Sequence, residues 1–346
     1  MTSIAPRDGG AGRGGFAVEP VLVPTTGEFT RVEELAQELS ATSFRDDAER
    51  FVHRAQMLWH RMPPRYQSRI AQFKRFGDPR GGLYLAGLPT GAVPSTPETA
   101  RLAAERAPVG AAVLSLIAAG LGDQFGYRPE LSGLVIQGVV PMKGAEFSQR
   151  SVSSLEELYR HVETSFTEFR ADFVGFFCLR GDHDGVAGTT LAPVEAIVRR
   201  LKAKTVDILR QPRFHTTVDD SFLIGAGLRG PVTVGDVRVL SGPAIRPRLR
   251  VDFAQTTGAD PKAQAALNEL ADTATAVSYT IVLAAGDTLL VENHHALHGR
   301  TRFTPRWDGF DRWLLRTFIT RDLSRSAEVR PNDGRIIDVA FGQAAK

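Results

Sequence analysis

Arg312-Trp-Leu-Leu-Arg-Thr-Phe-Ile-Thr320 and, just upstream, Thr288-Leu-Leu-Val-Glu292 read as short β-type runs bounded by Gly, Pro or Asp. Working outward, residues 134–140, 172–179, 249–253 and 279–283 have the same character, with helical inserts expected at 193–209 and 261–274. The first third reads differently. Thr30-Arg-Val-Glu33 has capping-box spacing and predicts a helix through residue 39. Phe51, Ala55, Leu58 and Trp59 predict a helix over 43–62, and a further helix is expected over 65–76, after Pro63-Pro64. A strand at 83–88 and an apolar helix at 111–121 complete that part. Many short strands with helices outside predict a mixed α/β, β-rich fold, a sandwich or double-layered barrel. The expected organisation is a disordered tail over 1–15 and one catalytic domain over 16–346, with a helical N-terminal layer.

Composition narrows the function classes. The 346 residues carry 42 Lys plus Arg against 39 Asp plus Glu, a net +3, with 42% hydrophobic and 23% charged residues. That is a soluble globular profile. The one dense basic cluster, Arg246, Arg248 and Arg250, is short and lacks interleaved aromatics, so no nucleic-acid partner is expected. The longest apolar stretch, 110–122, falls short of the ~20 residues a membrane span needs. Residues 1–15 lack the apolar core of a signal peptide. A single cysteine, Cys178, permits no intrachain disulfide and fits a reducing compartment, so a cytoplasmic protein is expected.

Chemistry is sought among eight histidines. His53 and His60 fall on expected helices, His183 lies in the turn Gly181-Asp-His-Asp-Gly185, and His215 stands alone. His161-Val-Glu163 is different. In an extended segment, residues two apart share a face, so imidazole and carboxylate converge on one ion. Two His and one carboxylate leave three coordination positions open, the arrangement of non-haem Fe(II) oxygenases. A third ligand must come from elsewhere, with His294, His295 and His298 as candidates. Arg300, Arg302, Arg306, Arg312 and Arg316 follow. An Arg within an aliphatic and aromatic strand calls for an anionic partner, and a dicarboxylate co-substrate would serve.

His161-Val-Glu163, Asp287-Thr-Leu-Leu-Val-Glu-Asn293 and the block from His298-Gly-Arg300 to Arg312-Trp-Leu-Leu-Arg316 together resemble the clavaminate synthase-like, TauD-type Fe(II)/2-oxoglutarate oxygenases. The resemblance runs from about residue 21 to 341 and is nearest the amino-acid hydroxylases of the arginine and asparagine oxygenase group. It implies a distorted double-stranded β-helix, a jelly-roll or cupin-like core with flanking helices. It implies His161, Glu163 and His298 as iron ligands, with 2-oxoglutarate as co-substrate and O₂ as oxidant. Arg316, eighteen residues after His298, would hold the far carboxylate of 2-oxoglutarate, with Arg312 as companion and Thr189 assisting, or Thr190 if the alignment slips by one. Gln137 would contact the substrate's α-amino group, Ser151 the substrate, and Asp252 the polar end of its side chain.

Two departures stand beside the substrate. His161-Val-Glu-Thr-Ser-Phe166 differs from the family's usual His-Thr-Glu-Asp-Ala-Phe, and Gly138 stands where relatives usually have an acid. Glu163 argues against the halogenase variant, which gives up this carboxylate. The implied reaction is hydroxylation at the β or γ carbon of a free L-amino acid, in natural-product (antibiotic) biosynthesis. Asp252 favours arginine, citrulline or lysine, because two buried like charges would repel an acidic substrate. Desaturation or cyclisation by the same chemistry, or hydroxylation of a carrier-tethered substrate, stands as the alternative. A zinc hydrolase and a non-enzymatic barrel are more distant ones. Oligomeric state is not legible. The local alternatives are a surface pair of Asp252 with Arg248 or Arg250, a helix-capping Ser151, and a Gln137 satisfied within its strand.

Overall fold

The computed structural model describes residues 18–339, so the expected tail over 1–15 lies outside the described residues. Two sheets face each other. The larger has the strand order Gly82–Leu85, Thr288–Glu292, Phe173–Arg180, Trp313–Thr320, Asp123–Tyr127, Ile336–Ile337, and Gln137–Val139 also pairs with Trp313–Thr320. The smaller runs Tyr279–Val282, Gly188–Pro193, Ala296–Arg300, Leu158–His161. Leu289, Val291, Phe176, Leu314 and Phe318 of the first sheet pack with Leu191, Ile281 and Ala296 of the second.

Strand alternation sorts the side chains. In Trp313–Thr320, Leu314 and Phe318 point into the barrel, while Trp313, Leu315 and Ile319 join a second apolar cluster on the other face. The helix Pro108–Ala119 fills that outer face and is buried from Gly110 to Ala118. At Gly110 an added Cβ would come within 2.5 Å of Leu179 Cδ2, so the helix needs glycine there to approach the sheet. Thr26–Ser40 and Ala48–Trp59 cover this helix from outside. A third cluster packs Pro261–Val277 and the short helices Val194–Val198 and Ala203–Leu209 behind the smaller sheet.

Several expected boundaries move. The capping box is Thr25 with Glu28, not Thr30 with Glu33, so the first helix begins at Thr26. The second is capped by Asp47, whose side chain accepts the Arg50 N–H, and starts at Ala48; Ser43 instead accepts the Asp46 N–H and closes a separate turn before it. The helix expected over 193–209 is two short helices, and 188–193 is a strand. Ala296–Arg300, the strand that carries His298, was not anticipated, and neither was Asp123–Tyr127. Among the described residues no helix is long and apolar enough to cross a membrane.

Candidate active site

Ala296 and His298 share the inward face of their strand, and Leu297 points out into the third cluster. His298 sits directly opposite His161 on the neighbouring strand, with ring centroids 4.3 Å apart. Glu163 follows two residues after His161, just past the strand end, and its Oε2 lies 3.2 Å from His298 Nε2 and 3.7 Å from His161 Nε2. These three side chains form a group whose ligand atoms all fall within 4.8 Å of one another. His161 Nδ1 donates to the Tyr159 carbonyl at 2.8 Å, which leaves Nε2 as the ligand atom. His294 and His295 are excluded: one lies 3.6 Å from Asp172, and the other bonds the Pro247 carbonyl.

The electrostatics fit a cation at this point. Burial opposes charge on Glu163, yet Arg316 and hydrogen bonds from both histidines hold its carboxyl well below the usual range. Burial pushes His298 down to about 4, so it is a neutral imidazole. His161 is raised: burial opposes its charge, but the Glu163 hydrogen bond and the Asp252 and Glu163 carboxylates outweigh it. Two imidazoles and one carboxylate are a donor set for a divalent transition metal, and a proton held on His161 is what such an ion displaces.

The neighbouring arginines are not equivalent. Leu314, Arg316 and Phe318 share the barrel-facing side of Trp313–Thr320, and Arg312, just before the strand, lines the same cavity as Leu314 and Arg316. Arg316 is engaged at every nitrogen. Nη1 donates to Glu163 Oε1 (2.8 Å), Nη2 to Glu130 Oε1 and Gln137 Oε1 (2.5 Å each), and Nε to Gln137 Oε1 (3.1 Å). Arg312 is just as buried, but has no hydrogen bond or ion pair among the described residues; its guanidinium lies 5.8 Å from the Phe303 ring centroid. A buried guanidinium in that state calls for an anion.

Three further expected residues line the same cavity of about 330 Å³, Thr189, Ser151 and Asp252, together with Glu130 and Asp219, which sequence reasoning missed. Thr189, and not Thr190, borders it. Gln137 does not border the cavity directly but backs it through Arg316. Asp252 is bridged to His161 across the strands, and Arg250 bonds the Ser165 carbonyl instead, so no surface pair forms. Ser151 caps no helix, since the segment that follows it is irregular. Burial raises the Asp252 carboxyl, and burial together with Asp252 pushes Asp219 up to about 7. Burial likewise raises Glu130, while Arg316 and the Gln137 amide pull it back down; neither Glu130 Oε2 nor Gln137 Nε2 makes a hydrogen bond of good geometry. No local pattern marks Glu130 or Asp219, because each sits in a connection whose path depends on distant packing. Gly138 cannot carry the acid seen in the family: a Cβ there would come within 2.3 Å of Ala103 Cβ and 2.5 Å of the Ala100 carbonyl.

Two histidines on neighbouring strands and a carboxylate just past a strand end, inside a double-sheet barrel, are the donor set and setting of non-haem iron oxygenases. The chain belongs to the taurine catabolism dioxygenase TauD, TfdA family, whose model matches residues 70–318. It is 40% identical over 313 residues to the L-asparagine oxygenase of Streptomyces coelicolor, covering 89% of this chain and 92% of that protein. It is 32% identical to the L-lysine 3-hydroxylase of Catenulispora acidiphila, covering 94% and 90%. Among solved structures, asparagine oxygenase in complex with Fe(II), (2S,3S)-3-hydroxyasparagine and succinate superposes with a TM-score of 0.86 at 40% identity, covering 92% of this chain and 99% of that one. The non-heme iron oxygenase OrfP in complex with Fe, succinate and (3S)-hydroxy-L-Arg gives 0.82 at 28% identity, covering 92% and 100%.

Proposed function

We propose that this protein hydroxylates a free L-amino acid at its β or γ carbon, using Fe(II), 2-oxoglutarate and O₂, in natural-product biosynthesis. His161, Glu163 and His298 hold the iron. The bound metal supplies the oxidation, coupling decarboxylation of 2-oxoglutarate to succinate with hydroxylation of the substrate. The chain's own residues bind, orient and exclude water.

One observation carries the amino-acid reading. Next to the metal-directed triad, Glu130 sets a buried carboxylate on the cavity wall, and its Oε2 makes no hydrogen bond of good geometry. An α-ammonium answers that carboxylate, with Arg316 beside it on the cavity wall. This changes two expected roles. Gln137 turns its oxygen to Arg316, so the amine falls to Glu130. Arg316 is already committed, so Arg312, with Thr189 nearby on the cavity wall, takes the far carboxylate of 2-oxoglutarate. Asp252 and Asp219 then receive the far end of the side chain, with Ser151 on the wall beside them. Two acids accept hydrogen bonds from guanidinium, ureido or ammonium groups, which favours arginine, citrulline or lysine. The likeness to asparagine oxygenase supports an amide side chain as the second reading, since a protonated Asp219 can donate to an amide oxygen.

We place the reaction in the cytoplasm, in one catalytic domain beginning at residue 16; the lone buried thiol of Cys178 fits a reducing compartment. The test is succinate formation by iron-loaded protein with 2-oxoglutarate across a panel of free amino acids including asparagine, citrulline and ornithine. Stimulation by one or a few members, with a mass gain of one oxygen, is expected. A loss of two hydrogens would move the reading to desaturation, and no stimulation would move it to a tethered substrate.

A further inference from the structure

Glu163 is the only member of the triad that does not lie on a paired strand. The next residue, Thr164, has φ +53°, in the left-handed region that a β-branched residue rarely adopts. Such a conformation persists only where the surroundings impose it. Thr164 Oγ1 donates to the Glu163 carbonyl at 2.8 Å and lies 3.2 Å from Tyr127 Oη. A second grip comes from Asn293, fully buried immediately after the strand Thr288–Glu292. Its Oδ1 accepts the Glu163 N–H at 2.8 Å, and its Nδ2 donates to the Glu163 carbonyl at 3.2 Å and the Ala171 carbonyl at 2.9 Å. Its own N–H donates to the Asp172 carbonyl at 3.0 Å, which fixes the backbone from which the amide projects.

One side-chain amide therefore satisfies both backbone polar groups of a single residue, at the corner where the chain leaves its strand. We infer that Asn293 is the positioning residue for Glu163. It replaces the missing strand partner, holds the peptide against the left-handed corner, and so aims the carboxylate at both histidines. Asn293 touches neither substrate nor metal and acts through Glu163 alone. The inference rests on Glu163 being a metal ligand, as proposed above.

The test titrates the full-length apoprotein with Co(II), followed by its visible absorption, and compares variants in thermal melting and in succinate formed per hydroxylated amino acid. Loss of a group that orients a metal ligand costs roughly 10–100-fold in affinity. Asn293→Ala is expected to bind Co(II) that much more weakly and to release more succinate per product. Asn293→Asp keeps the acceptor for the Glu163 N–H but not the donor, and is expected to lose less. Gln124→Leu removes another fully buried hydrogen bond, to Thr317, on the outer face of Trp313–Thr320, turned away from the cavity. It is expected to lower the melting temperature while binding Co(II) like the parent. Parent-like Co(II) affinity in Asn293→Ala overturns the inference, as does an equal loss in Gln124→Leu. If Asn293→Ala does not fold, parent-like affinity in Asn293→Asp overturns it. Glu163→Ala separates the two levels: parent-like Co(II) binding there defeats the ligand assignment itself, whereas loss there with none at Asn293 defeats the positioning role alone.

Discussion

The two ends of the cavity are built by different means. At the metal end, His161 and His298 face one another across a strand pair, Arg316 rides on Trp313–Thr320, and Arg312 immediately precedes that strand. Register alone aims these side chains, because a one-residue slip would turn each of them out of the barrel. On the substrate side, Glu130, Ser151 and Asp219 come from connections, and Asp252 from an isolated bridge. There the backbone is held by side-chain bonds such as Gln255 Nε2 to Asp219 Oδ1, at 2.7 Å. The difference separates two jobs: the sheet fixes the chemistry, while the connections choose the molecule that reaches it.

Perturbing each end should therefore produce different kinetics. The largest effect is expected at the triad. Glu163→Ala should lower succinate formation by more than about 10²-fold, beyond the range for groups that only orient ligands. Next, Arg312→Ala should raise the KM for 2-oxoglutarate by about 10²-fold, consistent with ~3 kcal/mol for a buried charged pair, with the amino-acid KM little changed. The opposite pattern would exchange the roles of the two arginines. On the substrate side, Asp252→Asn should raise the KM for a cationic substrate by about tenfold while leaving 2-oxoglutarate binding intact, read by steady-state kinetics in both substrates.

A smaller effect concerns pH. Asp219, pushed up to about 7, is neutral below that value and charged above it. Affinity for a cationic amino acid should thus improve several-fold between pH 6 and 8, and Asp219→Asn should flatten the profile. A slope that survives in Asp219→Asn would assign it to another group. The smallest effect lies outside the cavity. Thr25→Ala breaks the capping box of the first helix and should cost about 1 kcal/mol in thermal melting with unchanged kinetics.

The same division explains what was legible. Thr288–Glu292 appeared in the sequence with its bounds intact, because a buried strand is an apolar run bounded by turn residues. His161 and Glu163 were legible because spacing by two means convergence in extended chain. Ala296–Arg300 escaped because its inward positions are Ala, His and Arg, which present no apolar alternation. The roles of Arg312 and Arg316 could not be separated by spacing, since both line the same cavity. Only the positions of Glu130 and Gln137 show which is already occupied. Glu130 and Asp219 were invisible for a related reason: a single acid in a polar connection looks the same whether it meets solvent or a closed cavity.

The layer of helices over Trp313, Leu315 and Ile319 has a practical consequence for shortening the chain. The strand bearing Arg316 has a cavity face and an outer face, and the outer one is waterproofed by Pro108–Ala119, itself roofed by Thr26–Ser40 and Ala48–Trp59. A fragment cut after the helix Pro64–Phe76 would not be a smaller enzyme. It would carry the whole triad, yet leave the roof side of that central helix bare, and such fragments stick to one another before they turn over substrate.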